Sequence, residues 1–233
     1  MGCLEEAMNL EHLEKVQAKG WNSAAIGERL HAFSGLAAPL VFFAGYLTVS
    51  TFQVEYQPLA DTLSRMGRMG RSYSEVMNLT LVLSGLLIGT FARHLVLLGN
   101  QTKPSSLAAF FWAAFGFGLA GTGILPCDHL CGGDSLPNYL HTLPAFVSVS
   151  GLLLGLYHLP TCLPGKDWSD IRNSARTLAW GGLAALIAYL LGLWRIIRTM
   201  EPYIGVIEKS YVFVVFVFLL ALARRLQKFS PQI

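Results

Sequence analysis

An all-α, polytopic integral membrane protein is the fold class this sequence predicts, and three observations predict it. Of its 233 residues, 53% are hydrophobic and only 13% are charged, about half the charged fraction of an ordinary soluble domain. The mean hydropathy is +0.49. Several runs of roughly 20 apolar residues carry no internal charge, and each is long enough to cross a hydrocarbon core. A net charge of +3, spread along the chain, offers no basic face to a nucleic acid.

Residues 1–30 read as a cytosolic lead-in. There Leu4, Met8, Leu10, Leu13 and Val16 mark one face of a short amphipathic helix among Glu5, Glu6, Glu11, Glu14 and Lys15. Such a helix lies on the membrane or packs beneath the bundle. Residues 31–233 then form one six-helix transmembrane domain, with spans expected at 32–52, 73–97, 105–125, 138–159, 175–194 and 210–226. Pro104 suits the start of the third, and Pro160 closes the fourth. The connections are short, so consecutive spans are expected to be antiparallel neighbours. The third span carries Gly116, Gly118, Gly121 and Gly123. In lipid such a small-residue surface lets helices approach closely, which predicts a central place for this span.

Orientation follows from Lys and Arg counted by side. Of the seventeen, eleven fall with the termini and six on the opposite side, so both termini are expected in the cytosol. Arg65, Arg68 and Arg71 oppose that rule and narrow its margin. The first apolar run is long enough to stay in the membrane, so no cleavable signal peptide is expected. Plasma membrane and endoplasmic reticulum are both compatible with these signals.

The polar residues converge on the non-cytosolic side. The stretch from Glu55 to Asn78 is densely charged between two membrane-length runs. Asp61 can cap a short interfacial helix or face a cavity as acid, base or ligand, because ionisable groups near membrane depth are costly. Asp128 and His129 fall at the mouth of the third span, and His141 one turn into the fourth. An Asp beside a His is a workable acid–base pair. Asp128 with two histidines can also approach a zinc site, but one ligand short of the usual set, so no metal and no cofactor is expected. Cys127 and Cys131, four apart on an oxidising face, suggest a disulfide or two inert thiols. Arg195 and Arg198 anchor at headgroup level or, with the Arg65 cluster, recruit an anionic headgroup. Glu208 and Lys209 can pair to close the mouth of the bundle.

Three stretches resemble a known family: PLADTLSRMGRMGRSYSEVMN before and into the second span, GILPCDHLCGGDSLPNYLHTLPAF between the third and fourth, and GVIEKSYVFVVF entering the sixth. Their pattern is similar to that of the DUF998 family of multi-pass membrane proteins, with Lys209 where Arg is expected. The resemblance implies fold and topology and supplies no mechanism.

The functional expectation is an enzyme doing acid–base chemistry on a membrane-embedded lipid or isoprenoid: hydrolysis, isomerisation or terpenoid-type cyclisation. Its catalytic candidates are Asp61, Asp128 and His141. Glu55, Ser64, Arg65, Asn78, His129, Arg195 and Glu208 are the substrate-contacting candidates. The alternatives are a non-catalytic lipid-binding, assembly or sensing protein, and a small transporter. The topology has a direct check. Asn100-Gln101-Thr102 is a glycosylation sequon on the expected cytosolic side, so expression in a eukaryotic host should leave Asn100 unmodified, and a glycosidase-sensitive mass shift there would reverse the orientation.

Overall fold

The computed structural model describes residues 30–31, 33–98, 103–129, 131, 134–163, 166–192 and 203–229. Everything regular among them is helical. In chain order the helices are α1 (Phe33–Phe52), α2 (Leu63–Met66), α3 (Ser74–Leu98), α4 (Lys103–Ile124), α5 (Leu136–His158), α6 (Ser169–Gly192) and α7 (Ile204–Phe229). Short 3-10 turns, Leu159–Cys162 and Lys166–Trp168, link α5 to α6. The expected lead-in helix lies outside the described residues, as do Arg195 and Arg198.

Five of these helices are long and apolar enough to cross a membrane: Phe33–Phe52, Ser74–Val96, Ser105–Ile124, Leu136–Cys162 and Ile204–Gln227. They match the first four expected spans and the sixth. The expected fifth falls on α6, which begins earlier, at Ser169. Large apolar side chains point outward along the spans, among them Leu40, Leu47, Phe110, Phe117, Leu143 and Phe146. Water would penalise so continuous an apolar exterior. Lipid does not, so this is a multi-pass membrane protein.

Close packing sets the order of the helices. α4 lies between α3 and α5, as its glycines predict, and the glycines divide between the two neighbours. A Cβ on Gly116 would stand 2.5 Å from the Gly85 carbonyl oxygen of α3, and one on Gly118 would stand 2.4 Å from the Ser148 nitrogen of α5. α1 fills the gap between α3 and α7. Its Gly45 sits against Thr80 of α3, and its Phe42 stacks on Phe216 of α7 with ring centroids 4.1 Å apart. α6 completes the circuit, with the Tyr211 hydroxyl of α7 donating to the Leu178 carbonyl at 3.1 Å. At the end of the bundle near Trp168, Arg225 reaches both the Asp170 carboxylate and the Asp167 carbonyl.

The last helix departs from the expectation in a way that matters below. It starts at Ile204 rather than near 210. Glu208 and Lys209 are therefore inside the helix, not in a loop before it. The helix continues through two charges because each finds partners in the segment that follows α1.

Replacing a close-approach glycine should be costly, because the atoms it would strike are backbone and cannot move aside. Gly116→Val is expected to abolish monodisperse, folded protein in detergent. Gly181→Ala, whose Cβ meets nothing within 4 Å, should hold or raise the thermal midpoint, since Ala exceeds Gly by about 1 kcal/mol in helix propensity. Equal behaviour of the two variants in size-exclusion and thermal melts would refute this account of the packing.

Candidate functional site

The segment from Gln53 to Tyr73 forms a cap over the end of the bundle where α1 and α4 finish and α3, α5 and α7 begin. It contains one turn of helix, α2. A single turn has no stability of its own, so its position is set by outside bonds. Thr62 is the N-cap, its hydroxyl accepting the Arg65 N–H at 3.2 Å. The Glu208 carboxylate lies beside the Leu63 N–H. The sequence suggested Asp61 as the cap, and the true cap stands one residue later. Asp61 instead accepts the Gln57 N–H at 2.7 Å and the Arg71 guanidinium at 2.8 Å.

Arg71 ties several parts of the cap together. Besides Asp61, its Nη1 donates to the Arg65 carbonyl at 3.2 Å and its Nη2 to the Glu55 carbonyl at 2.6 Å. Both members of the Asp61–Arg71 pair have side chains 7% exposed. A pair so shielded from water is costly to break, because the survivor is left as a buried, unpaired charge. Gln53 adds a second brace, its amide donating to the carbonyls of Met66 at 3.0 Å and Ser72 at 2.6 Å. Glu55 is peripheral. It accepts from the Ser72 hydroxyl at 2.7 Å, and that bond together with one from its own backbone holds its carboxyl below the usual range.

Three helices hold the cap from below. From α3, the Asn78 amide donates to the Gly67 carbonyl at 2.8 Å, and a Cβ at Gly67 would displace that side chain, meeting its Oδ1 at 2.2 Å. From α7, the Lys209 ammonium donates to the Tyr56 hydroxyl at 3.0 Å and to the Pro58 and Asp61 carbonyls at 2.7 Å each. Adjacent residues on a helix diverge by about 100°, so Glu208 and Lys209 grip different parts of the cap, and no ion pair within 4.0 Å joins them. Tyr56 also shares a 2.8 Å bond with Tyr46. Burial first, and that bond second, push its phenol above the usual value.

From α5 comes the contact with chemical potential. His141, 8% exposed, places Nδ1 2.7 Å from the Leu125 carbonyl and Nε2 3.0 Å from the Ser64 hydroxyl. A carbonyl only accepts, so Nδ1 carries the hydrogen. In the neutral ring Nε2 is then the acceptor, and Ser64 donates to it. The orienting partner of this histidine is a backbone carbonyl rather than Asp128. That aspartate is taken up elsewhere: its carboxylate accepts from the Ser135 hydroxyl and from the Cys131 N–H at 3.1 Å, while its own N–H donates to Asn138 Oδ1 at 3.1 Å. Ser135 is the N-cap of α5, so Asp128 fastens the 125–131 loop to the start of that helix.

The two loops also join each other. The Met69 N–H donates to the Cys127 carbonyl at 3.0 Å. His129 lies over Gly70, whose φ of +81° suits glycine and whose Cβ would strike the ring at 2.6 Å. Cys127 and Cys131 have their sulfurs together and Cα atoms 5.0 Å apart, a disulfide pairing. Between the loops opens a polar cleft of about 210 Å³ lined by Gln57, Ala60, Asp61, Arg65, Arg68, Arg71 and His129. Sequence reasoning passed over Gln57, Arg68 and Arg71 as site residues. The two arginines stood out as positive charge opposing the orientation rule and, clustered with Arg65, as help for Arg195 and Arg198 in recruiting an anionic headgroup.

A family match settles what kind of chain carries this capped bundle: it spans residues 36–225, taking in the cap, all three resembling stretches and every span but the edges. The chain belongs to the DUF998 family. That family is described as a protein of unknown function. No curated protein and no solved structure matches the chain.

The clasp from α7 predicts a strong dependence of stability on one residue. Lys209→Met would leave two buried carbonyls and a hydroxyl without their donor. It should cost about 2–3 kcal/mol, the scale of hydrogen bonds to a charged group, and appear as a lowered thermal midpoint in detergent. A midpoint unchanged from wild type would show that the clasp is incidental.

Proposed function

We propose that this DUF998 protein is a membrane enzyme whose non-cytosolic end carries out acid–base chemistry on a lipid or isoprenoid, and that the reaction is hydrolysis of an ester. In this reading the bundle has six spans with both termini in the cytosol, and sits in the plasma membrane or endoplasmic reticulum. The observation that carries the proposal is the Ser64–His141 pair. A serine hydroxyl donating at 3.0 Å to a histidine nitrogen, with the opposite nitrogen fixed by a carbonyl, is the nucleophile–base–orienter arrangement of covalent catalysis.

The step balances without any cofactor. Ser64 Oγ attacks the carbonyl carbon or phosphorus of the ester while His141 Nε2 takes the hydroxyl proton. That proton passes to the departing alcohol oxygen as its bond breaks. Water, deprotonated by the same nitrogen, then releases the acyl or phosphoryl group and restores Ser64. Hydrolysis is favoured over cyclisation because Asp61 is committed as an acceptor to Arg71 and the Gln57 N–H, whereas a cyclase acid must be free to donate. Asp61 and Asp128 then act as positioning residues, Asp61 through Arg71 and Asp128 through the loop that carries Leu125.

The second reading, a non-catalytic lipid-binding protein, draws on the same contact, because the Ser64–His141 bond also ties α2 to α5. Reactivity separates the two. A fluorophosphonate probe on the purified protein should label Ser64, identified by peptide mass spectrometry, and His141→Ala should slow labelling by roughly 10²-fold or more with the fold retained. If Ser64 stays unlabelled in conditions where a soluble serine hydrolase reacts fully, the hydrolase reading is lost and the binding protein stands.

A further inference from the structure

We propose that the cleft between the two loops is a phosphate site, taking the phosphate or diphosphate group of a membrane amphiphile. This deepens the hydrolase reading by naming a head-group chemistry. It rests on that reading only for the statement that the bound molecule is a substrate.

Charge comes first. Three guanidiniums line the cleft against one carboxylate, and that carboxylate is already paired with Arg71. Arg65 already donates to the Ala60 carbonyl and lies near Glu208, so Arg68 is the guanidinium of the lining that is open to a ligand, and His129 lines the cleft with it. The Arg68 carbonyl accepts the Arg71 N–H at 3.4 Å, while its guanidinium has no hydrogen bond or ion pair among the described residues. Positive charge gathered in a cleft with a low-dielectric bundle behind it focuses a field on anions. Guanidinium forks match phosphate oxygens in geometry as well as charge.

A second and independent sign is an unmet donor. Arg71 is buried, and four of its five N–H groups belong to nitrogens bonded within the cap. Its Nε has no partner, and Arg71 lines the cleft. A buried N–H without an acceptor is an uncommon and costly feature. A phosphate oxygen at the floor of the cleft would supply the acceptor.

Size and rigidity agree. About 210 Å³ is less than the roughly 300–1,000 Å³ of sites that enclose a whole drug-sized ligand. It admits a head group and leaves the tail outside, where the spans present an apolar exterior. The walls are fixed before any ligand arrives: Met69 is bonded to Cys127 across the loops, and Gly70 admits His129 to the rim.

The source of the phosphate, lipid or soluble, is decided by one experiment. The protein is placed in phosphatidylcholine nanodiscs with or without a minor fraction of phosphatidic acid, and retained lipid is read by native mass spectrometry. Inorganic pyrophosphate is titrated separately by calorimetry. Retention of one phosphatidic acid, weakened about tenfold by Arg68→Gln and unaffected by Arg93→Gln at an exposed position of α3, supports a lipid head group. Pyrophosphate binding with the same dependence on Arg68 supports a soluble phosphate ester. Binding of neither, or equal weakening by both substitutions, overturns the site. Fluorophosphonate labelling of Ser64 is a separate readout, so loss of the phosphate site and loss of the hydrolase reading are told apart.

Discussion

An ammonium has three hydrogens to give, and Lys209 gives all three to one segment. Its acceptors, the Tyr56 hydroxyl and the Pro58 and Asp61 carbonyls, lie in the cap that follows α1. Lys209 itself is 4% exposed. A charge so placed near membrane depth is tolerable only when fully coordinated, and full coordination requires the cap to fold back onto α7. The other links depend on that return. The Val206 N–H reaches the Leu59 carbonyl at 3.0 Å. Gly205 lets the helix come so close that a Cβ would stand 2.4 Å from the Asp61 carbonyl oxygen. With the Asp61 backbone fixed from below, its carboxylate is aimed at Arg71, and Arg71 in turn collects the carbonyls of Glu55 and Arg65.

The division of labour between lipid and water explains what the sequence could reveal. Spans were legible because lipid leaves the backbone one way to satisfy itself, a helix, and that choice is written locally as an apolar run. The central place of α4 was legible for a related reason, since its glycines are useful only where another backbone approaches. The start of α7 was not legible. Glu208 and Lys209 are adjacent charges and read as a loop, and the acceptors that make them helical lie 148 to 153 positions away for Lys209.

The site was legible as a gathering of residue types and illegible as a set of partners. Convergence of Glu55–Asn78 with the 125–141 region followed from alternation of the spans, and the two loops do meet. Which side chain meets which depends on single-residue register. The Asp-Thr-Leu-Ser run invites Asp61 as a helix cap, yet Thr62 takes that role and frees Asp61 for Arg71. The Asp128 and His141 pairing suggested by proximity gives way to a histidine held by a carbonyl, and its other nitrogen finds Ser64, 77 positions away. No period or spacing in the chain encodes that contact.

What unites the two proposed activities is the shortness of α2. Ser64, Arg65 and Arg68 occupy one turn and the residues just beyond it, so they cannot move independently. Thr62 and Glu208 fix the start of that turn, Asn78 fixes its end through the Gly67 carbonyl, and His141 fixes its middle. Side chains one apart on a helix point in directions about 100° apart, which lets Ser64 meet α5 while Arg65 faces the cleft. A turn so held costs no reorganisation when a substrate arrives, and preorganisation is where most electrostatic catalysis originates. An amphiphile with its charged group in the arginine cleft would be anchored beside the serine by the same turn that carries the serine. The cap is therefore more than a lid on a bundle. It is a rigid platform, stabilised by buried polar bonds, on which a head group and a nucleophile share one support.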